Sequence, residues 1–433
     1  MLRFIVLLLA LVALPLQAAP EIQHWTTDNG LRVYYVQAPE LPMTDLRLVF
    51  DAGSARDGAQ PGLAQLTNGL LDSGAGEWDA DAIAERFEAV GAQYGAGAAR
   101  DMAWVSLRSL SEPDWFEPAF ATFLAVVGEP RFAAADFERT RRQAFVALQA
   151  QAQDPGEIAS KALYEALYGD HPYAHPPLGT RDSLEALRRT DLAAFHARHY
   201  VARNGVLAIV GDLDRAAAEA LAARVSAALP AGEPAPALPP VPALEEPRTL
   251  RIPFPSEQAH VYLGAPGMRR GDPDYFALYL GNHVLGGSGF TSRLMKEVRV
   301  ARGLSYSVYS YFLPMAMEGP FLTGLQTRVD QAGEAVTVAR DTLATFVAEG
   351  PSEEEYRASL ANITGGFPLR VASNSDIVQY LAMIGFYGLP LDYLDRFTDR
   401  VEAVGIADIR DAFARRLDPE RMITVIVGGP EAE

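Results

Sequence analysis

With no cysteine in the chain, metal chemistry would fall first to its seven histidines, His24, His171, His175, His196, His199, His260 and His283. Two close pairs, His171 with His175 and His196 with His199, have spacings that a zinc site can use. Neither pair has a glutamate in ligand register between its members. His171 opens a proline-bounded loop, and His196 and His199 stand just before Tyr200 and the strand-like run that follows. These pairs read as framework, with an unrecognised metal site kept as an alternative. The lack of cysteine also removes disulfides, thiolate ligands, a cysteine nucleophile and a lipoprotein anchor. The run Gly286-Gly287-Ser288-Gly289-Phe290 lacks the closing glycine of a nucleophile elbow, and no glycine loop ends in the Gly-Lys-Ser or Gly-Lys-Thr of a phosphate cradle. Glycines allow close backbone approach and unusual dihedrals. The run therefore reads either as a loop that contacts an extended peptide or as a tight helix-to-helix turn.

The elements that would position these residues fall into two similar halves. Seven prolines (230, 234, 236, 239, 240, 242 and 247) with few bulky hydrophobes mark residues 230–247 as an extended, semi-rigid linker between residues 19–229 and 248–433. Each half opens on strand-like runs, 31–36 and 45–50 in the first and 260–263 in the second. Helical patterns follow. Each half then has a helix ending at a glycine with a tyrosine three residues on, Gly91 with Tyr94 and Gly303 with Tyr306. Each closes on an apolar strand, 206–210 and 423–427. The matching order predicts an internal duplication: two α+β domains, each packing helices on one face of a mainly antiparallel sheet, able to close as a clamp.

Composition limits the partners. A formal charge of -18 argues against nucleic acid or an anionic membrane, whose phosphates need clustered lysine and arginine, and suits basic peptides. Residues 1–18 read as a signal peptide, with Arg3, an apolar run from Phe4 to Leu14 and small residues before Ala19. That run is too short to span a bilayer comfortably, so a periplasmic protein without a stable membrane anchor is expected.

Two segments carry a family resemblance. Asn282-His283-Val284-Leu285-Gly286-Gly287-Ser288-Gly289-Phe290-Thr291-Ser292-Arg293-Leu294, with residues 297–308 after it, resembles the second-domain signature of M16 zinc peptidases. In the first half, Pro61-Gly62-Leu63-Ala64-Gln65-Leu66-Thr67-Asn68-Gly69 stands where that family carries its inverted zinc motif, His-x-x-Glu-His. In active members the two histidines bind zinc, the glutamate between them is general base, and a downstream glutamate completes the site. The resemblance places those roles at Gln65, Asn68, Gly69 and Ala147. None of these four side chains can bind zinc tightly or take a proton from its water.

The resemblance also implies what survives. The family uses a second-domain arginine and tyrosine to hold the substrate backbone and stabilise the oxyanion, and by position these are Arg299 and Tyr306, with Arg302 as the alternative arginine. Forked guanidinium donors and a phenol suit a carbonyl oxygen gaining charge. The expectation is thus a non-catalytic, substrate-binding subunit. It binds no cofactor itself, pairs with a zinc-bearing M16 family subunit, lends that partner Arg299 and Tyr306, and handles unfolded peptide through Gly286, Gly287, Ser288, Gly289 and Phe290. The alternatives are a binding or scaffold protein of the same fold, and a self-sufficient metalloendopeptidase with an unrecognised site.

Overall fold

A computed structural model of the protein describes residues 21–430, so the signal-peptide reading of residues 1–18 lies outside the described residues. The first half contributes strands β1 (Gln23–Thr26), β2 (Arg32–Gln37), β3 (Met43–Phe50), the two-residue hairpin β4 (Gly74–Ala75) and β5 (Trp78–Asp79), β6 (Gln93–Ala98), β7 (Ala103–Leu110) and β8 (Gly205–Gly211). Its helices are α1 (Leu63–Asn68), α2 (Ala80–Glu88), α3 (Pro113–Gly128), α4 (Ala134–Gln151), α5 (Pro155–Tyr168), α6 (Arg181–Ala186), α7 (Arg189–His199) and α8 (Arg215–Ala227). The second half contributes β9 (Arg248–Ile252), β10 (Gln258–Met268), β11 (Val308–Phe312), β12 (Gly319–Arg328) and β13 (Ile423–Val427). Its helices are α9 (Tyr275–Asn282), α10 (Ala332–Glu349), α11 (Glu353–Gly366), α12 (Asn374–Tyr387), α13 (Phe397–Glu402) and α14 (Ile406–Arg416). Residues 230–247 contain neither helix nor strand.

The duplication is written in the sheets. The first runs β1-β2-β8-β3-β7-β6 and the second β9-β13-β10-β12-β11. Dropping β1, the two orders correspond strand for strand. In each sheet one neighbouring pair is parallel, β2 with β8 and β9 with β13, and the others are antiparallel. Gly91 and Gly303, at φ 64° and 63°, turn the chain into the matching edge strands β6 and β11, a left-handed conformation that favours glycine.

The expectation of helices on one face of each sheet needs correcting, because both faces are covered. The second cover comes from the other half: α12 packs on β8 and β3, and α5 on β10 and β13. Leu163, Leu167 and Tyr168 of α5 are buried with Leu322, Ile423 and Val425, while Val378, Leu381 and Ala382 of α12 are buried with Val206, Ala208 and Val210. This explains the sequence of β8 and β13. A strand covered on both faces is near-continuously apolar rather than alternating, and every residue of both strands is buried, Thr424 the one polar side chain among them. At the α12 crossing a Cβ on Gly385 would stand 2.5 Å from Val206 and 2.6 Å from Tyr34, so only glycine fits there.

A buried carboxylate ties the halves where they meet. Asp101 of the first half accepts hydrogen bonds from Tyr173 Oη (2.5 Å), the Ala316 amide (2.7 Å) and Tyr387 Oη (3.0 Å). Burial pushes this carboxyl above the usual range, against the pull of those three donors.

Candidate functional site

The helix carrying the expected metal positions is α1. It is held by the buried Asp57, whose carboxylate accepts from the Gly62 amide (2.8 Å) and the Ala64 amide (2.7 Å). Of its site positions, Gln65 lines a cavity of about 830 Å³ that Leu148, Gln151, Arg100, Tyr164 and Ile252 help to wall. Asn68 is 2% exposed, and its Nδ2 donates to the Trp104 carbonyl (3.2 Å) and to Tyr200 Oη (3.1 Å). Both bonds are structural, pinning α1 to β7 and to the end of α7. Gly69 caps the helix and has no side chain to offer, while Ala147 is exposed on α4, outside the cavity wall that its neighbour Leu148 joins. An amide on the wall, a sealed amide, a glycine and an exposed alanine form no donor set, so zinc does not fit these residues.

Of the paired histidines, His171, His196 and His199 are engaged in the framework. His171 accepts from the Tyr173 amide at Nδ1 (3.1 Å) and donates from Nε2 to the Pro239 carbonyl (3.0 Å), fixing its tautomer and clipping the linker to the first half. His196 Nε2 donates to the Val127 carbonyl (2.9 Å) and its ring stacks on Tyr200, while His199 packs on Phe195. Burial pushes both His196 and His199 down to about 4. Among the described residues no three His, Asp or Glu side chains gather as a metal-holding group.

The second-domain signature makes a different surface. Residues 283–287 and 295–300 are both wound as π-helix, a form that costs hydrogen-bond geometry and gathers at functional sites. Between them the loop turns through Ser288, with Thr291 Oγ1 donating to Ser288 Oγ (3.0 Å) and Ser292 Oγ to the Gly289 carbonyl (2.8 Å). Gly286 faces inward: a Cβ there would lie 2.3 Å from Ser310 Oγ, so this glycine exists for packing against β11. Gly287, Gly289 and Phe290 stand at the surface.

Arg299 is placed by the second π segment between two aromatic rings. Its guanidinium carbon lies 4.8 Å from the centre of Phe290 and 4.4 Å from that of Tyr306, which are 69% and 80% exposed. Stacking of this kind holds a guanidinium without consuming its N–H donors, and no carboxylate pairs with Arg299 among the described residues. Arg302 is engaged instead: its Nη1 donates to Glu297 Oε2 (2.7 Å) and to the Glu297 carbonyl (2.8 Å). Of the two arginines that sequence left open, Arg299 is the one with free donors beside Tyr306.

Two residues that sequence reasoning passed over connect the surfaces. Tyr309 and Tyr311 stack at 6.1 Å on the exposed face of edge strand β11. Tyr311 lies within electrostatic reach of Tyr164 and Arg100, which wall the Gln65 cavity, and burial pushes it up to about 12. The alternation Val308-Tyr309-Ser310-Tyr311 was the available signal for a one-sided aromatic strand. Edge strand β11 thus carries two stacked tyrosines on its exposed face, one of them close to the Tyr164 and Arg100 wall of the Gln65 cavity.

Comparison with known proteins bears on the same two segments. Residues 32–181 match the family described as Insulinase (Peptidase family M16), and residues 186–363 match the Peptidase M16 inactive domain. The crystal structure of a peptidase M16 inactive domain from Pseudomonas fluorescens is 43% identical, with a TM-score of 0.92 over 95% of this chain and 98% of that one. A non-peptidase homolog, YmxG, of Helicobacter pylori is 27% identical over 94% of each chain. An uncharacterized zinc protease of Mycobacterium leprae is 29% identical over 82% of this chain and 80% of its own length.

Proposed function

This chain belongs to the peptidase M16 family, and from that premise we propose that it is the non-hydrolytic, substrate-handling subunit of a two-subunit periplasmic peptidase. The observation that carries the reading is the state of Arg299: half-buried, stacked between two rings and without a carboxylate partner beside an exposed Tyr306, while the first-half motif positions offer nothing to a metal. A zinc-bearing M16 relative supplies the metal and the general base. Arg299 and Tyr306 meet that metal site across the subunit boundary and donate hydrogen bonds to the scissile carbonyl as it gains negative charge. The unfolded peptide lies extended along the β11 edge, where backbone pairing holds it without regard to sequence and the Tyr309–Tyr311 face takes its side chains. Assembly then creates the complete site, so activity belongs to the complex.

The test is reconstitution with a zinc-bearing M16 relative. Neither subunit alone is expected to cut peptides, and the mixture should cut them with saturation near equimolar ratio. Tyr306→Phe removes one donor while keeping the ring, so the complex should assemble normally on size exclusion yet lose about 10² to 10³ in kcat. Full kcat in an assembled Tyr306→Phe complex would leave only a scaffold role.

A further inference from the structure

A half-open cavity of about 350 Å³ lies between the two halves and shares no lining residue with the Gln65 cavity or with the Arg299 surface. Four arginines reach it: Arg32 from β2, Arg56 and Arg203 from first-half loops, and Arg270 from just beyond β10. Two carboxylates, Asp51 and Asp101, face them. On a chain of net charge -18 such a concentration of guanidinium is not the general electrostatics of the protein.

The pairing inside is incomplete. Asp51 is consumed by Arg56, which grips it through Nε and Nη2 at 2.6 Å each. Asp101 is consumed by the three donors already described. Arg203 has only the exposed Glu233 at 2.9 Å, a solvent-screened pair of little strength. Arg32 donates from Nη1 to the Gly385 carbonyl at 3.0 Å and has no carboxylate. Arg270 has neither: its guanidinium rests near the Tyr275 and Tyr387 rings, at 5.7 and 5.5 Å, and its buried Nε–H has no acceptor. An arginine stays charged at any ordinary pH, and a buried donor left unmade carries its whole desolvation penalty. A ligand with two or three acceptor oxygens would answer both Arg270 and Arg32.

We propose that this cavity binds a compact oxyanion, a phosphate or small carboxylate, gripped chiefly by Arg270 and Arg32. Its walls make the consequence structural. Residues 234–238 of the proline-rich segment close one side, fastened by Arg56 Nη1 to the Pro236 carbonyl (2.7 Å) and by the Ala235 amide to Asn204 Oδ1 (2.9 Å). Ala316, Met317 and Tyr387 close another from the second half. The anion therefore touches both halves and the segment that joins them, and its capture holds the halves at one angle. This site stands apart from the peptide-handling reading and survives its failure.

The experiment titrates the purified full chain with inorganic phosphate and, separately, with malonate, at constant ionic strength set by chloride, and follows Tm. A rise that grows with the logarithm of ligand concentration above Kd is expected with at least one of them, on the order of 2 °C for each tenfold increase. A response to phosphate alone assigns a phosphate site, one to malonate alone a carboxylate site, and one to both an oxyanion site without further selectivity. Arg270→Met should abolish the rise without lowering the ligand-free Tm, because it removes an unpaired buried donor. Should Arg270→Met fold poorly, Arg32→Met provides the same reading. Arg357→Met, which removes the same charge from an exposed helix face, should leave the rise intact. No rise with either anion, or a rise undiminished in both cavity variants, overturns the proposal.

Discussion

At the scale of single residues, Asn68 shows why the hydrolytic motif here is closed rather than merely blank. Its amide makes two buried hydrogen bonds, so the position meant for a general base is sealed against Trp104 and Tyr200. Rebuilding the motif as Gln65→His, Asn68→Glu and Gly69→His should yield neither tight zinc nor activity. Asn68→Glu alone should destabilise by on the order of 3 kcal/mol, read by denaturant titration, because it puts an unpaired charge where an amide was satisfied. A stable, zinc-loaded triple variant would sink that account. Arg299 and Arg302 separate by the same logic of partners. Arg299→Lys keeps a charge but loses the flat group that stacks between Phe290 and Tyr306, and kcat of the reconstituted complex should fall at least tenfold. Arg302→Lys changes an exposed pair with Glu297 and should leave kcat within about twofold. Equal losses in both variants would mean that the free donors of Arg299 do not matter.

At the scale of elements, α7 carries a buried histidine whose titration weakens the fold in acid. His196 is held neutral by burial, down to about 4, while donating to the carbonyl that ends α3. With its folded pKa below the unfolded value, its contribution is complete above about 6.5 and is lost as pH falls through about 4, because the unfolded chain binds the extra proton in that window. The loss is on the order of 3 kcal/mol for this one group. Tm measured from neutral pH down to about 4.5 should therefore drop less in His196→Gln than in the parent chain. Parallel curves would show that His196 does not titrate on unfolding. Asp57, beneath α1, has the opposite sign. Burial pushes it up to about 7, so its contribution is present at low pH and lost as pH rises through about 7. Asp57→Asn should accordingly steepen the acid-side loss that His196→Gln relieves.

At the scale of the whole molecule, the exchange of α5 and α12 makes two domains into one folding unit. Each sheet has one face covered by a helix of the other half, and Asp101 bonds across the same junction. Neither half can bury its strands alone, so unfolding should be a single transition with calorimetric and van't Hoff enthalpies equal. Residues 248–433 expressed by themselves should fail to fold, because α5 is missing from β10 and β13. Two separated calorimetric transitions, or a cooperatively folded isolated half, would contradict this. That interlock also bears on the candidate surface: Tyr306 and the β11 tyrosines come from the second half and Tyr164 from the first, so their relative placement depends on the packing of the two halves.

Much of this was legible in the residue order. The repeated pattern of strand runs, glycine-tyrosine turns and closing apolar strands set out the duplication, because hydrophobic period and glycine placement are local properties. The signature from Asn282 to Val308 carried the family, and the residues at 65, 68 and 69 carried the lost motif, since ligand chemistry depends on residue type. Three things were settled only by the tertiary structure. Whether Arg299 or Arg302 is free depended on where Glu297 and the rings of Phe290 and Tyr306 come to rest. That β8 and β13 are nearly all apolar could be read from sequence, but not that helices from the opposite half cover them, because a one-dimensional pattern records burial and not its partner. The arginine cavity was invisible for the same reason: Arg32, Arg203 and Arg270 are far apart in the chain and share no period, and only the packing of one half on the other brings them to one space.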